Sequence, residues 1–315
     1  MDASESGRFV VVSELGRGGM GVVHLAWDRE RRRQVALKRL RRSDPGLLYR
    51  LKREFRARAD LHHPNLVRYD ELLEIGGHLV LCMEFVDGST LDELVWSARE
   101  SSETSSPDTL PEDDTASVGD RPMAAARAPA QARSVLPSTQ IARIFGPLAL
   151  GLHALHNQGL LHRDIKPSNV IVSRTGRPVL LDFGLVVQSG GPAEEATTQG
   201  TALGTVRYMS PEQMEGTELQ PPSDWYSFGV VLFEVLTGTR PFGGSYIEVH
   251  RQKTAGRPPR IESADPTTHT LGGLAWRLLA PAPGARPSGQ EILAVFNALD
   301  PETVGPVSES VAATT

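Results

Sequence analysis

The sequence predicts an α+β chain, with a smaller strand-rich part carrying one helix followed by a larger, mostly helical part. Three observations predict it. Short apolar, β-prone runs separated by glycine-bearing turns fill the chain up to Phe85: Phe9 to Val12, Val22 to Trp27, Val35 to Lys38, Leu66 to Leu73 and His78 to Phe85. One basic helical stretch, Leu47 to Asp60, interrupts them. From Ile141 onward the apolar period becomes helical, with Ile141, Ile144, Phe145, Leu148, Leu152 and Leu155 at spacings of three and four.

Size and composition agree with a folded chain. Its 315 residues suffice for one large domain or two smaller ones, and 39% hydrophobic with 23% charged residues is close to the globular average. The formal net charge of -5 argues against a general nucleic-acid binder. Only four of the 33 basic residues are lysines: Lys38, Lys52, Lys166 and Lys253. The single cysteine, Cys82, excludes an intrachain disulfide or a thiolate cluster and fits a reducing compartment. Met1 to Gly7 is polar and acidic, unlike a signal peptide. No uncharged apolar run approaches the ~18 residues of a membrane span. The expected location is the cytoplasm, with no membrane segment in this chain.

In order along the chain, the first strand leads into Leu15-Gly16-Arg17-Gly18-Gly19-Met20-Gly21-Val22-Val23. Glycines in such a loop let backbone amides approach phosphate oxygens with no Cβ in the way. Strand, not helix, follows this loop, which argues against a dinucleotide-binding turn. Lys38 ends the next strand, and Glu54 is the only acid of the helical stretch before Asp60. Gly76-Gly77 turns the chain between the two later strands. The 42 residues from Ser97 to Ser138 hold no aromatic, eight serines and five prolines. Such a stretch buries too little apolar area to offset its ordering entropy and is expected to be disordered.

The helix of Ile141 to Gln158 delivers the chain to His162-Arg163-Asp164-Ile165-Lys166-Pro167-Ser168-Asn169. Two apolar runs, Val170 to Val172 and Val179 to Leu181, then flank Arg174-Thr175-Gly176, a hairpin signal. A hairpin brings its ends together, so Asn169 and Asp182 are expected to be neighbours close to Asp164. Such oxygen donors suit a hard cation such as Mg²⁺. A segment with Thr197, Thr198, Thr201 and Thr205 runs on to Ser210-Pro211-Glu212. Further helices are expected from Asp224 through Leu236, over Leu271 to Leu279 and over Gln290 to Leu299, with a disordered tail from Asp300 to Thr315.

His162-Arg163-Asp164 with Asn169, followed by Asp182-Phe183-Gly184, resembles the catalytic loop and metal motif of the protein kinases. The phrases Gly-Arg-Gly-Gly-Met-Gly-Val-Val and Met-Glu-Phe-Val-Asp-Gly-Ser-Thr-Leu look most like the bacterial eukaryotic-like (Hanks-type) serine/threonine kinases. The resemblance covers about Phe9 to Leu299 without the insertion. It implies a bilobal fold: a tail over 1–8, a small lobe over 9–83 and a large lobe over 84–299. The large lobe would include a hinge at 84–86 and the insertion 97–138, with the tail 300–315 after it.

The resemblance also implies ATP with Mg²⁺ (Mn²⁺ as the alternative metal). Asp164 would accept or orient the proton of the substrate hydroxyl, and Lys166 would neutralise the transferring phosphate, with Thr205 contacting both. Asn169 and Asp182 would hold the metal. Lys38 would pair with the nucleotide phosphates and with Glu54. The loop of Leu15, Gly16, Arg17, Gly18, Gly19, Met20 and Gly21 would cover the phosphates. Val23, Ala36 and Ile171 would sandwich the adenine, with Met83 at the back of its pocket. Glu84, Phe85 and Val86 would bind it through their backbone, and Asp87 would lie near the ribose. Arg163 would receive a regulatory phosphate on Thr201, or on Thr198 as second choice. Asp224 would anchor the catalytic-loop backbone, and Glu212 would ion-pair with Arg286.

The implied function is phosphoryl transfer from ATP to serine or threonine hydroxyls of proteins, with self-association for trans-autophosphorylation and no nucleic-acid partner. Three other readings compete with it. A catalytically silent scaffold should lack Lys38, Asp164, Asn169 or Asp182; all four are present. A small-molecule phosphotransferase on a related fold should lack the segment ending at Glu212 and its partner Arg286. A dinucleotide-binding oxidoreductase rests on the glycine loop alone.

Overall fold

The computed structural model describes residues 7–18, 21–40, 55, 61–95, 97, 130–131, 136–182 and 205–301. Gly19, Met20, Glu54, Phe183, Gly184, Thr198, Thr201, most of the 97–138 stretch and nearly all of the tail lie outside the described residues.

Five antiparallel strands form the first sheet: β1 (Phe9–Gly18), β2 (Gly21–Asp28), β3 (Arg33–Leu40), β4 (Tyr69–Ile75) and β5 (His78–Glu84), in the order β1-β2-β3-β5-β4. Side chains alternate across it as strand geometry requires. Ala36, Leu81 and Met83 join the large core, while Val35, Leu37, Val80 and Cys82 join a smaller cluster with Phe9 and Ala26 on the other face. Burial pushes the Cys82 thiol up to about 12, which makes it an inert core residue.

Two strand boundaries differ most from the sequence reading. β1 does not stop at Val12 but continues to Gly18, absorbing register shifts after Val11 and Glu14, so the glycine loop is the tip of the β1–β2 hairpin. Gly21 closes that tip at φ +142°, where an added Cβ would meet the Arg39 carbonyl oxygen at 2.0 Å. The strand read as Leu66 to Leu73 starts at Tyr69, because Asn65 to Val67 are taken by another sheet. The Val67 amide donates to Leu180 O at 3.0 Å and the Leu180 amide to Asn65 O at 2.9 Å. These bonds tie the first sheet to a three-stranded one made of β6 (Gly88–Thr90), β8 (Val170–Ser173) and β9 (Pro178–Leu180).

A helical turn over 91–95 precedes the stretch read as structureless. That stretch is not wholly so. Ala130–Gln131 (β7) pairs in parallel with β10 (Ile261–Glu262), and Leu136 is buried directly before α1 (Ser138–Asn157). One apolar residue close to a helix start is enough to anchor the end of a polar stretch. The remaining helices are α2 (Pro211–Glu215), α3 (Pro221–Thr237), α4 (Tyr246–Ala255), α5 (Pro266–Leu278) and α6 (Gly289–Leu299). Nearly every residue of α3 from Ser223 onward is buried, the mark of a helix surrounded by others. Phe228 at its centre meets Phe145 of α1 and Phe296 of α6 edge-on, with centroids 5.3 and 6.3 Å away. Among the described residues no helix is long and apolar enough to cross a membrane.

Candidate active site

The loop that leaves α1 is organised by one buried carboxylate. Asp224, on the first turn of α3, accepts the His162 amide at 2.8 Å, the Arg163 amide at 2.7 Å and His156 Nε2 at 2.9 Å. Burial alone would raise its pKa, but these donors outweigh it and leave Asp224 below the ordinary carboxylate range. The same bonds hold Arg163 at φ +70°, a left-handed conformation unfavourable for a side chain with a Cβ. From the other side, Gln213 Nε2 donates to Arg163 O at 2.9 Å. His162 is wholly enclosed, and burial lowers its pKa. Its Nδ1 accepts the Asp164 amide at 3.2 Å, so Nε2 carries the hydrogen and donates to Leu181 O at 2.8 Å.

That scaffold presents Asp164, Lys166 and Asn169 together. Asp164 Oδ2 accepts Lys166 Nζ at 2.8 Å and Asn169 Nδ2 at 2.9 Å, while Asn169 Nδ2 also reaches Asp164 O at 2.7 Å. Lys166 Nζ continues to Thr205 Oγ1 at 3.4 Å. Asp164 Oδ1 is buried and has no hydrogen-bond partner among the described residues.

The β8–β9 hairpin forms where the sequence placed it, with Val170 opposite Leu180. Its closure is completed by the Leu181 amide donating to Asn169 O at 2.8 Å. Asn169 and Asp182 therefore leave neighbouring ends of one hairpin. Asp182, at φ +56°, accepts Lys38 Nζ at 2.7 Å on Oδ2, and its Oδ1 is again buried and unpartnered among the described residues. Lys38 is 5% exposed on β3, so the contact closes across the two parts of the chain.

Beside this polar cluster lies an apolar floor and roof. Ala36, Met83 and Val86 are buried, with Val23 and Ile171 packed half-buried against the same core. Ala36 and Met83 are directly opposite in the β3–β5 register. Leu15, Gly16 and Arg17 are exposed at the hairpin tip, where Arg17 pairs with Glu14 at 2.7 Å. The side chains of Glu84 and Asp87 are directed to arginines: Arg177 Nη2 at 2.6 Å and Arg174 Nε at 2.9 Å.

The protein kinase domain model matches residues 9–295. The chain belongs to the protein kinase family. Among similar curated proteins, the serine/threonine-protein kinase pkn2 of Myxococcus xanthus is 34% identical over 302 residues, 91% of this chain and 32% of that protein. The serine/threonine-protein kinase PknB of Mycobacterium leprae is 32% identical over 290 residues, 89% of this chain and 41% of that protein. The chain thus spans about a third to two fifths of the length of these curated relatives. A mutant of the Mycobacterium tuberculosis PknI kinase domain, 24% identical, matches the fold with a TM-score of 0.62 over 95% of this chain and 96% of that one. The matches place the chain with the bacterial serine/threonine protein kinases, a family whose chemistry uses ATP and a divalent metal ion.

Beneath the site, the kinase domain holds Glu212 and Arg286 in a two-pronged ion pair. Nη1 donates to Oε1 at 2.5 Å and Nη2 to Oε2 at 2.9 Å. Arg286 spends its other hydrogens on Ala280 O, Pro222 O and Pro281 O, and its guanidinium lies 4.8 Å from the Tyr226 ring centroid. Burial works against ionised Glu212, but Arg286 outweighs it and leaves its pKa lowered.

Several organising residues had no motif to announce them. His156 sits six positions before His162, on the last turn of α1, and nothing in its own neighbourhood points to Asp224. Gln213 is legible only as half of a capping box: Ser210 Oγ accepts its amide at 3.3 Å and its Oε1 accepts the Ser210 amide at 2.9 Å. That its free Nε2 then reaches Arg163 O is a tertiary fact.

Proposed function

We propose that the domain transfers the γ-phosphoryl group of ATP, in line, to serine or threonine hydroxyls of protein substrates, with Mg²⁺ as the metal. The carrying observation is the pair of buried carboxylate oxygens, Asp164 Oδ1 and Asp182 Oδ1, that no described residue satisfies. Buried polar atoms are nearly always paired, and these two oxygens, side by side with Lys166, Asn169 and Lys38, are open to partners beyond the described residues. Asp182 Oδ1 and the Asn169 side-chain carbonyl are hard oxygen donors that fit Mg²⁺, and Mn²⁺ as second choice. When bound, Mg-ATP supplies the phosphoryl group and a cation that offsets its developing charge.

The chain's own residues do the rest. Asp164 Oδ1 accepts the proton of the incoming hydroxyl and fixes its direction of attack. Lys166, held by Asp164 and Thr205, presents a fixed positive charge beside that hydroxyl. Lys38 orients the nucleotide phosphates and, through Asp182, ties that orientation to the large lobe. Val23, Ala36, Met83, Val86 and Ile171 enclose the base, with backbone groups of 84–86 reading its edge. Asp224 and Gln213 keep Arg163 and Asp164 in place. Regulation would act on Thr201, or Thr198, by phosphate pairing with Arg163, with trans-autophosphorylation between two copies. A scaffold role is the second reading, and the presence of Lys38, Asp164, Asn169 and Asp182 argues against it.

The test is the intact mass before and after incubation with Mg-ATP and a serine/threonine protein mixture, beside D164N. Phosphate gained by wild type only, mapped to hydroxyl side chains and including Thr201 or Thr198, is the expected result. ATP binding without any phosphate gain would replace this reading with the scaffold.

A further inference from the structure

Among the described lysines, Lys253 is the one that the phosphoryl-transfer reading leaves without a task. It lies on α4 and is fully buried. A buried ammonium is costly unless each of its three hydrogens finds an acceptor. Here all three do: Nζ donates to Val206 O at 3.1 Å, to Arg207 O at 2.9 Å and to Met209 O. The faces of Tyr226 and Phe242, each 5.6 Å away at the centroid, complete the enclosure. Three carbonyl oxygens drawn to one point repel one another, so this turn depends on the cation at its centre. Lys253 does not act alone. Tyr246 Oη donates to Met214 O at 2.8 Å, and His250 Nε2 meets Glu215 Oε1 at 3.3 Å. Spaced by four and three positions, Tyr246, His250 and Lys253 form one stripe of α4, and all three grip residues 206–215.

The gripped segment borders the reaction. Thr205, directly before it, touches Lys166, and its capping glutamine, Gln213, holds Arg163. Through Lys166, Thr205 stands one contact from Asp164, so a peptide whose hydroxyl sits on Asp164 meets the start of this segment. We infer that Lys253 is a positioning residue that shapes this segment as the binding surface for the acceptor peptide, so that α4 sets peptide affinity from behind. The inference rests on the proposed phosphoryl transfer to protein hydroxyls.

Burial opposes the charge that these carbonyls and rings favour. Burial lowers the Lys253 ammonium from its ordinary range to about 7. The charged groups facing it are Glu212 from α2, already paired with Arg286 beyond the Tyr226 ring, and no carboxylate touches Nζ among the described residues. The grip is therefore complete on the acid side and weakens as pH rises through neutrality.

The experiment compares wild type, K253M and K253R in three measurements: hydrogen exchange of the Tyr208 and Met209 amides, KM for a serine/threonine peptide at saturating ATP, and nucleotide affinity. In K253M, exchange at those amides and the peptide KM should each rise about tenfold, the scale of one charge-assisted hydrogen bond. Nucleotide affinity and exchange in α1 should stay within about threefold on the same scale. K253R keeps a cation that does not titrate below about pH 12, so its peptide KM should stay level with pH where the wild-type value climbs. A folded K253M with wild-type exchange and KM overturns the inference, as does a fall in nucleotide affinity equal to the loss in peptide binding. If K253M does not fold, K253Q takes its place, and a folded K253Q with wild-type exchange and KM overturns the inference instead. A wild type that phosphorylates nothing would sink the phosphoryl-transfer reading, and the exchange comparison would still judge the grip.

Discussion

Lys38 Nζ and Asp182 Oδ2 lie 2.7 Å apart although 144 positions separate them in the chain. The pair is mostly buried and joins β3 to the end of the β8–β9 hairpin. It therefore ties the strand-rich part to the hairpin end beside Asp164 and Asn169, and in the proposed reaction it fixes where the nucleotide's phosphates are met. K38M should lower phosphate incorporation by about 10²- to 10³-fold, the usual cost of one preorganised charge. It should leave the fold intact by circular dichroism. Near-wild-type incorporation would remove Lys38 from the machinery.

Asp164 carries a different expectation, because in the proposed reaction its Oδ1, unpartnered among the described residues, meets the acceptor and not the nucleotide. D164N should reduce kcat by about 10²- to 10⁴-fold, the range for loss of a general base. Nucleotide affinity, read by calorimetry, should be unchanged within about threefold. A parallel loss of affinity would mean that Asp164 acts on the metal instead.

Asp224 links stability to activity through the strained Arg163. Asn at this position would face two backbone N–H groups with only one acceptor, leaving buried donors unmet at a cost of about 1–3 kcal/mol each. The sign of the pH effect is fixed by the depressed pKa of Asp224. A carboxylate lowered in the folded state contributes its stability above its ordinary range and loses it as pH falls through the folded value. Acid titration followed by circular dichroism should show wild type losing stability in that acid range, and D224N already destabilised with a shallower slope there. Equal slopes would contradict the assignment.

Arg286 and Glu212 test whether the large lobe relies on its buried pair. R286A leaves an uncompensated buried carboxylate and should cost about 3–5 kcal/mol in denaturant unfolding. Replacing both residues by apolar ones of similar volume, as in E212L with R286M, should recover much of that loss, since neither charge is then stranded. A double variant as unstable as R286A would show that the contacts of Arg286 with Ala280, Pro281 and Pro222 matter more than the ion pair.

By itself the sequence determined what local chemistry can encode. The apolar, β-prone runs Val35 to Lys38 and His78 to Phe85 predicted strands, and the structure sends Ala36, Leu81 and Met83 to one core and Val35, Leu37, Val80 and Cys82 to another. The turn residues Arg174-Thr175-Gly176 predicted the hairpin that makes Asn169 and Asp182 neighbours. Asp164, Lys166 and Asn169 fall within six positions, so one loop brings them together. Tertiary structure decided the rest, because those contacts join residues far apart along the chain. Nothing local says that Leu66 pairs with Leu180 instead of extending β4, or that Ala130–Gln131 finds Ile261–Glu262. His156 and Gln213 read as ordinary helix residues until packing aims them at Asp224 and Arg163. Lys253 is the sharpest case: its sequence neighbours are those of a surface helix, yet the fold encloses it among three carbonyls. Patterns announce faces and turns; only the closed chain decides which buried groups must satisfy one another.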